Sequence, residues 1–226
     1  MVIARLNPFL PRQVETRPSH LGKVLLFCEG QTEVIYFEYF AEIIQKNRNK
    51  YAHLDIESIP ANGNAQQVLN FAESFLLDKV NMQKYSLYEK HLVFDCDAPR
   101  EIEKVLRDML ASTNDYTLSL TNLLFETWLL MHFEQVEPEY SNSKRVIGER
   151  LSYALGREYT KADSGLIRQI IGNGDTLRNA IRHAHVLEER YSQKELVYET
   201  DIRQMNPFTT VHLLMERILL EMSSSE

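Results

Sequence analysis

Four short apolar or alternating segments, each followed by a stretch with helical periodicity, constrain the fold of this chain most. The segments predict β-strands at 23–28, 53–59, 91–95 and 116–120. The stretches that follow them predict helices at about 33–47, 65–80, 99–112 and 123–133. Alternating strands and helices indicate a largely parallel sheet, because parallel neighbours need a crossover connection. The sequence therefore predicts an α/β fold.

The two ends of the chain differ from this central part. Residues 1–21 contain three of the seven prolines and predict an irregular N-terminal arm. After residue 134 the pattern is helical, and Asn206-Pro207 is interpreted as the start of the last helix. The helices are expected at about 143–155, 164–171, 175–192 and 206–222. We therefore expect an α/β domain at 22–134 and a helical region at 135–226 that packs on it.

Composition excludes several classes of protein. The 226 residues are 44% hydrophobic and include only 8 glycines, which suits a buried core and excludes collagen-like or wholly disordered chains. No run of about 18 uncharged apolar residues occurs, so no membrane segment is expected. The net charge of −7 argues against non-specific coating of nucleic acid. Cys28 and Cys96 both fall in or beside predicted buried strands, which favours free thiols and a cytoplasmic location.

Acidic residues follow two of the predicted strands. Glu29 comes directly after the first strand and Glu33 lies four residues further on, while Asp95 and Asp97 end the third strand. Ligands of open parallel sheets bind beyond the carboxyl ends of the strands, and the first and third strands are often neighbours. Carboxylates that converge there need a balancing charge, and a hard divalent cation such as Mg²⁺ takes oxygen ligands. Each acid alone is better explained as a strand-end or first-turn residue, but the joint pattern predicts a metal site.

Further elements accompany these acids in a fixed order along the chain. They are Glu29-Gly30, Asp95-Cys96-Asp97, Asn122 with Phe125-Glu126-Thr127-Trp128, Tyr159-Thr160-Lys161 and Asn206-Pro207-Phe208-Thr209. The first two resemble the Toprim pattern, and the whole set resembles the RloB family of prokaryotic, defence-associated Toprim proteins over about residues 23 to 220. One departure is Leu123, where the family usually has a proline after the asparagine.

The resemblance implies a Toprim-like (Rossmann-like) sheet and a metal-dependent nuclease, a hydrolase of phosphodiester bonds. The expected cofactor is Mg²⁺ or Mn²⁺. The expected setting is antiviral defence of the abortive-infection type, beside restriction or CRISPR proteins. The substrate is nucleic acid, either RNA or DNA, with RNA favoured and transfer RNA among the candidates.

Roles can be assigned on this basis. Glu29, Asp95 and Asp97 are expected to hold one metal ion, and Glu33 to contribute to a second site or to orient waters. Glu126 is a further candidate for that second role. Lys161 is expected to neutralise charge that develops at the scissile phosphate. An exposed lysine at a helix end is an equally good interpretation of Lys161.

Other interpretations stay open. The principal alternative is a non-catalytic subunit that senses a metal or nucleotide and docks onto a defence ATPase or restriction complex. His132 could take part in catalysis, although a histidine partly buried beside Trp128 is the simpler reading. His183 and His185 lie among arginines on a predicted helix, and this stripe is either a contact for phosphates or a solvated helix face.

Overall fold

The computed structural model describes residues 22–97, 99–172 and 174–223, so the arm expected at 1–21 lies outside the described residues. The strands are β1 (Lys23–Cys28), β2 (Asp55–Pro60), β3 (Glu89–Asp95), β4 (Tyr116–Asn122) and β5 (Phe208–Thr209). They form one sheet in the order β2-β1-β3-β4-β5. The first four strands pair in parallel, and β5 pairs antiparallel with β4. The prediction of an α/β fold with a mostly parallel, Rossmann-like sheet is confirmed.

Eleven helices are described, some between the strands and some after β4 in the chain. They are α1 (Gln31–Lys46), α2 (Ala65–Leu77), α3 (Lys79–Lys84), α4 (Pro99–Leu110), α5 (Phe125–Met131), α6 (Pro138–Ser141), α7 (Lys144–Leu155), α8 (Ser164–Ile171), α9 (Gly174–Ser192), α10 (Tyr198–Asp201) and α11 (Val211–Ser223), with a 3-10 turn at Ile202–Gln204. No helix among the described residues has the length and apolar character to cross a lipid bilayer.

The central strands are apolar because the sheet is covered on both faces. Every residue of β1 from Val24 to Cys28 is buried. Helix α1 contacts β1 and β2, α2 contacts β1 and β3, and both α5 and α11 contact β4. Strands that are buried on both faces read as continuous apolar runs rather than as alternating ones. This is why the first and third strands could be recognised from sequence.

The helix predicted at about 65–80 is interrupted at Asp78. Asn64 and Gln67 form a capping box at the start of α2. The Asp78 side chain accepts hydrogen bonds from the backbone N–H groups of Val80 and Asn81, both over 3.0 Å. A side chain that caps the N-terminus of a new helix ends the preceding one, so α3 begins at Lys79.

The prediction that the last helix begins at 206–207 is wrong. Residues 208–209 form β5, and α11 begins at Val211. The Thr209 hydroxyl donates to the carbonyl of Leu120 over 3.1 Å, and the backbone N–H of Thr210 donates to the same carbonyl over 2.9 Å. The two threonines therefore bond to the edge of β4, and the Thr209 hydroxyl also accepts the backbone N–H of Val211 at the start of α11 over 3.1 Å. The C-terminal part of the chain thus supplies the last strand of the sheet.

Asn122, the last residue of β4, is hydrogen-bonded to the segment that precedes β5. Its side-chain amide donates to the carbonyls of Ile202 and Met205 over 2.9 and 2.7 Å. The Asn122–Leu123 and Asn206–Pro207 peptide bonds are both cis. The end of β4 and the segment that leads to β5 are thus held together by one buried side chain.

Candidate metal centre at the carboxyl edge of the sheet

Glu29 and Asp95 meet at the ends of adjacent strands. Glu29 follows β1, and its backbone N–H donates to the carbonyl of Val93 in β3 over 2.8 Å. The Glu29 carboxylate (Oε2) accepts a hydrogen bond from the backbone N–H of Asp95 over 2.9 Å. The predicted adjacency of the first and third strands is confirmed, and it brings these two acids together.

Asp95 is the last residue of β3 and points one carboxylate oxygen into a buried space. Its Oδ1 is buried and has no hydrogen-bond partner among the described residues. Burial raises the pKa of Asp95 well above its usual value, and the nearby carboxylates of Glu33, Glu29 and Glu126 raise it further. Lys161 acts in the opposite direction. A buried carboxylate oxygen without a partner is costly unless a cation or a proton satisfies it.

Glu33 and Glu29 experience the same environment. Burial raises the pKa of each to about 7, and Glu126 adds to the shift of Glu33. Backbone N–H groups of Glu33 and Gly30 lower the pKa of Glu33 in part. Gly30 also leaves room for this carboxylate, since a Cβ at that position would lie 3.0 Å from Glu33 Oε2. The glycine of the Glu29-Gly30 pair therefore allows Glu33 to approach the backbone.

Glu126 lies in the first turn of α5 and is engaged by a loop from the helical region. Its side chain is 3% exposed, and it accepts hydrogen bonds from Lys161 Nζ over 3.0 Å and from the Tyr159 hydroxyl over 3.2 Å. The backbone N–H of Ala162 donates to the Thr32 hydroxyl of α1 over 3.2 Å, which fixes the loop beside the acids.

Lys161 is the cation nearest to the buried acids. Burial alone disfavours its ammonium form, but the carboxylates of Glu126, Asp95 and Glu33 outweigh that effect and raise the pKa of Lys161. Its side chain remains 67% exposed. Lys161 therefore stays charged while its head group faces both the cluster and solvent.

Asp97 lies at the rim of the cluster. Strand β3 ends at Asp95, and Asp97 lies in a bend, half exposed, with Lys144 Nζ at 3.2 Å. It is still close enough to Glu29 for its charge to raise the pKa of that carboxyl, an effect that Lys144 opposes. The extended alternation that would place Asp95 and Asp97 on one side of the strand does not continue past β3.

The structure thus places the six residues predicted from the sequence near one another, but their carboxylates do not have the spacing of metal ligands. The six are Glu29, Glu33, Asp95, Asp97, Glu126 and Lys161. Among the residues that the structure describes, no three of these carboxylates place ligand oxygens all within 4.8 Å of one another. Asp97 pairs with Lys144, and Glu126 pairs with Lys161. The donor set still suits a hard cation, because it consists of carboxylates and includes the orphaned Oδ1 of Asp95.

Sequence reasoning missed two partners of the site. Lys144 begins α7 and reaches Asp97, and Thr32 anchors the loop that carries Lys161. Lys144 directly follows Ser143, the N-cap of α7. Its local sequence does not indicate that its side chain contacts Asp97, 47 residues earlier. The Tyr159-Thr160-Lys161 element is visible in the sequence, but its local pattern does not indicate that Tyr159 and Lys161 both contact Glu126.

His132 lies in the aromatic core. Its Nε2 is 3.2 Å from the Tyr36 hydroxyl, and its ring packs edge-on against Trp128 at 5.5 Å between ring centres. Burial lowers the pKa of His132 to about 3, with a smaller contribution from His183. His183 also points inward, with its Nδ1 2.7 Å from the carbonyl of Met131. The stripe around His183 is therefore only partly directed towards solvent.

Comparison with known proteins gives one result. The family model described as RloB-like protein matches residues 24–218. Neither the curated proteins nor the solved structures contain a significant match.

Proposed function

The chain belongs to the RloB-like protein family, and on that premise we propose that it is a divalent-metal-dependent nuclease. It hydrolyses phosphodiester bonds of nucleic acid in an antiviral, abortive-infection system. RNA is the favoured substrate class, and transfer RNA is the first RNA to test. The observation that carries the proposal is the buried Oδ1 of Asp95, which has no hydrogen-bond partner among the described residues. It lies near the buried carboxylates of Glu33 and Glu126 and the partly buried carboxylate of Glu29.

A divalent cation accounts for this arrangement better than isolated protons do. The charges of Glu29, Glu33 and Glu126 all raise the pKa of Asp95, so the cluster is unfavourable without a positive charge in its midst. Glu29, Glu33, Asp95 and Asp97 would hold Mg²⁺ or Mn²⁺. When bound, the ion would polarise the phosphate and help to generate hydroxide from water near neutral pH.

The chain's own residues orient the site. Glu29 is fixed by the backbone N–H of Asp95, so the ends of β1 and β3 keep a constant separation. Glu126, which also accepts a hydrogen bond from Tyr159, holds Lys161 at the edge of the cluster, where this largely exposed side chain can contact a phosphate oxygen. A cation placed there stabilises negative charge that develops in the transition state.

The charge distribution supports local rather than general attraction of a polyanion. The net charge of the chain is −7, yet Lys144 and Lys161 stand at the rim of the acidic cluster, each with a side chain more than half exposed. Nucleic-acid affinity would then depend on the ion and a few rim cations, and salt would weaken it.

A second candidate is a non-catalytic subunit that senses a metal or nucleotide and docks onto a defence ATPase. One observation favours it. Lys144 already pairs with Asp97, and Lys161 already pairs with Glu126, so part of the acidic charge is neutralised without an ion.

The decisive experiment incubates the purified chain with end-labelled transfer RNA, unstructured RNA and duplex DNA, in Mn²⁺, Mg²⁺ or EDTA. We expect cleavage that requires the cation and is abolished by EDTA. Asp95→Asn should reduce the rate at least about 100-fold. Asp108→Asn is the matched control, because Asp108 is an exposed acid paired with Lys104 outside the cluster.

The outcomes separate the two candidates. Metal binding without cleavage of any of these substrates favours the sensing subunit. Equal cleavage by the wild type, Asp95→Asn and Glu29→Gln overturns the proposed metal centre.

A further inference from the structure

A second group of potential metal ligands lies on the far helices. His185 and Glu188 are one turn apart on α9, and His212 and Glu216 are one turn apart on α11. Spacings of three and four residues place side chains on the same helix face, and α9 packs against α11. The four side chains therefore meet between the two helices.

We propose that His185, Glu188 and His212 form a binding site for a transition-metal ion, with Zn²⁺ as the ion to test, that joins α9 to α11. Ligand atoms of these three residues all lie within 4.8 Å of one another, and within the described ranges this is the one group of His, Cys, Asp or Glu that meets that condition. The site is separate from the acidic cluster and does not depend on the proposed nuclease activity.

Two of the three distances between these ligand atoms are close to the edges of a tetrahedral site. Glu188 Oε2 lies 3.0 Å from His185 Nδ1 and 3.4 Å from His212 Nε2. Zinc bonds of about 2.0–2.1 Å give ligand-to-ligand edges of about 3.3 Å in a tetrahedron. The Glu188 oxygen thus already has close to the separation that zinc requires from each of the two imidazole nitrogens, and all three ligand atoms lie within 4.8 Å of one another.

The hydrogen-bond contacts of His185 are compatible with a bound metal ion. Its Nδ1 is 3.0 Å from Glu188 Oε2, and its Nε2 is 3.3 Å from Glu216 Oε2. A neutral imidazole has a single N–H, so it can donate to only one of these carboxylates. With the proton on Nε2, directed at Glu216, the lone pair of Nδ1 faces the Glu188 carboxylate, and an ion between them removes the repulsion.

Glu216 then has the role of an outer-sphere partner. Metal-binding histidines commonly donate their second ring N–H to a carboxylate, which fixes the tautomer and the ring orientation. The contact between His185 Nε2 and Glu216 Oε2 has this form.

His212 is suited to bind as a neutral ligand. Its side chain is 1% exposed, and its ring lies edge-on to that of His185 with 4.8 Å between ring centres. A neutral imidazole is the form that binds a metal.

The chemistry of the donors separates this site from the acidic cluster. Two imidazoles and one carboxylate suit zinc and its neighbours, whereas an all-carboxylate set suits Mg²⁺ or Mn²⁺. His185 and Glu188 are each about half exposed, so water can occupy the fourth position.

The test is a Zn²⁺ titration of the full chain in competition with a coloured chelator, with excess Mg²⁺ present. We expect one tight equivalent for the wild type. His185→Ala and Glu188→Gln should lower the affinity at least about 100-fold, and Glu216→Gln about 10- to 100-fold. Glu189→Gln, the same change at the adjacent residue, which accepts a hydrogen bond from Gln193, should leave the affinity unchanged.

Several outcomes bear directly on the proposal. Circular dichroism must show that the variants are folded, which is expected because His185 and Glu188 are at the surface. X-ray absorption of the zinc complex should show imidazole ligands, and the Asp95→Asn variant should keep the tight equivalent. The proposal is overturned if the wild type binds no tight Zn²⁺, or if His185→Ala and Glu188→Gln bind it as the wild type does.

Discussion

The backbone N–H of Asp95 donates to the carboxylate of Glu29, so the end of β3 holds the first acidic side chain after β1 in place. The bond joins two residues 66 positions apart in the chain. It places a partly buried carboxylate beside Asp95, whose own Oδ1 has no hydrogen-bond partner within the described part of the chain. The acidic cluster is therefore built at the expense of stability, which leads to testable expectations.

Glu33→Gln is expected to stabilise the protein in EDTA at pH 8. The pKa of Glu33 is raised from 4.5 to about 7, so its favourable contribution is complete below pH 4.5 and is lost as the pH rises through 7. The neutral amide removes the penalty that remains above pH 7, by about 1–3 kcal/mol in the free energy of unfolding. Urea denaturation at pH 5 and pH 8 measures it, and Glu38→Gln, an exposed position on the same helix, is the control. A wild-type-like stability of Glu33→Gln at pH 8 would contradict the expectation.

Divalent cations are expected to raise the melting temperature of the wild type. An ion that binds only the folded state at 100 times its Kd adds about 2.7 kcal/mol to stability. Asp95→Asn should lose most of this response to Mn²⁺, and Asp108→Asn should keep it. Thermal denaturation in Mn²⁺, with and without excess EDTA, provides the measurement. An unchanged response in Asp95→Asn would place the bound ion elsewhere.

Lys161→Met is expected to destabilise the protein through Glu126. The Glu126 side chain is almost fully buried, so loss of its cation leaves a buried charge with Tyr159 as its remaining hydrogen-bond donor. Because Lys161 is largely exposed, the cost is about 1–2 kcal/mol rather than the full cost of breaking a buried pair. A double-mutant cycle with Glu126→Gln should give a coupling of this size. The exposed pair of Lys104 and Asp108 should give no more than about 0.5 kcal/mol, and equal coupling in the two pairs would disprove the argument.

His132 is expected to make the protein sensitive to acid. Its pKa falls from 6.5 to about 3 in the folded state. Between pH 6.5 and pH 3, His132 is therefore protonated in the unfolded chain but neutral in the folded chain. The free energy of unfolding decreases as the pH falls through this range, by up to about 1.4 kcal/mol per pH unit. His132→Gln should flatten this slope in urea denaturation between pH 4 and pH 7. His53→Gln, at a half-exposed histidine, should not change it, and an equal slope in His132→Gln and wild type would refute the prediction.

Much of the sheet and its acidic edge could be predicted because the signals are local. The buried runs of β1 and β3 and the acids at their ends are all visible within a few residues of each other. The first and third strands of such sheets are often neighbours, and the pairing of Cys28 with Val93 confirms that expectation here. Glu29 and Asp95 were therefore placed together correctly from the sequence.

The parts that could not be predicted depend on contacts between distant segments. Nothing near Thr209 indicates that its hydroxyl will bond to the carbonyl of Leu120, 89 residues earlier, so the local signals favour a helix that starts at Asn206-Pro207. Asp78, which caps α3, is by contrast a local signal, since aspartate is a preferred residue at the start of a helix. The pairing of Lys144 with Asp97 was invisible because either side chain alone resembles an ordinary surface charge.

The short β5 strand has a consequence for how the molecule reaches its native state. Thr121 and Thr209, whose hydroxyls lie 3.0 Å apart, are 88 positions apart in the chain. Until the later segment arrives, β4 presents an open row of amide and carbonyl groups, which is a template for pairing with another copy. When the protein is refolded from denaturant, a high protein concentration should therefore increase the aggregated fraction. Refolding at a low protein concentration should increase the yield of native protein.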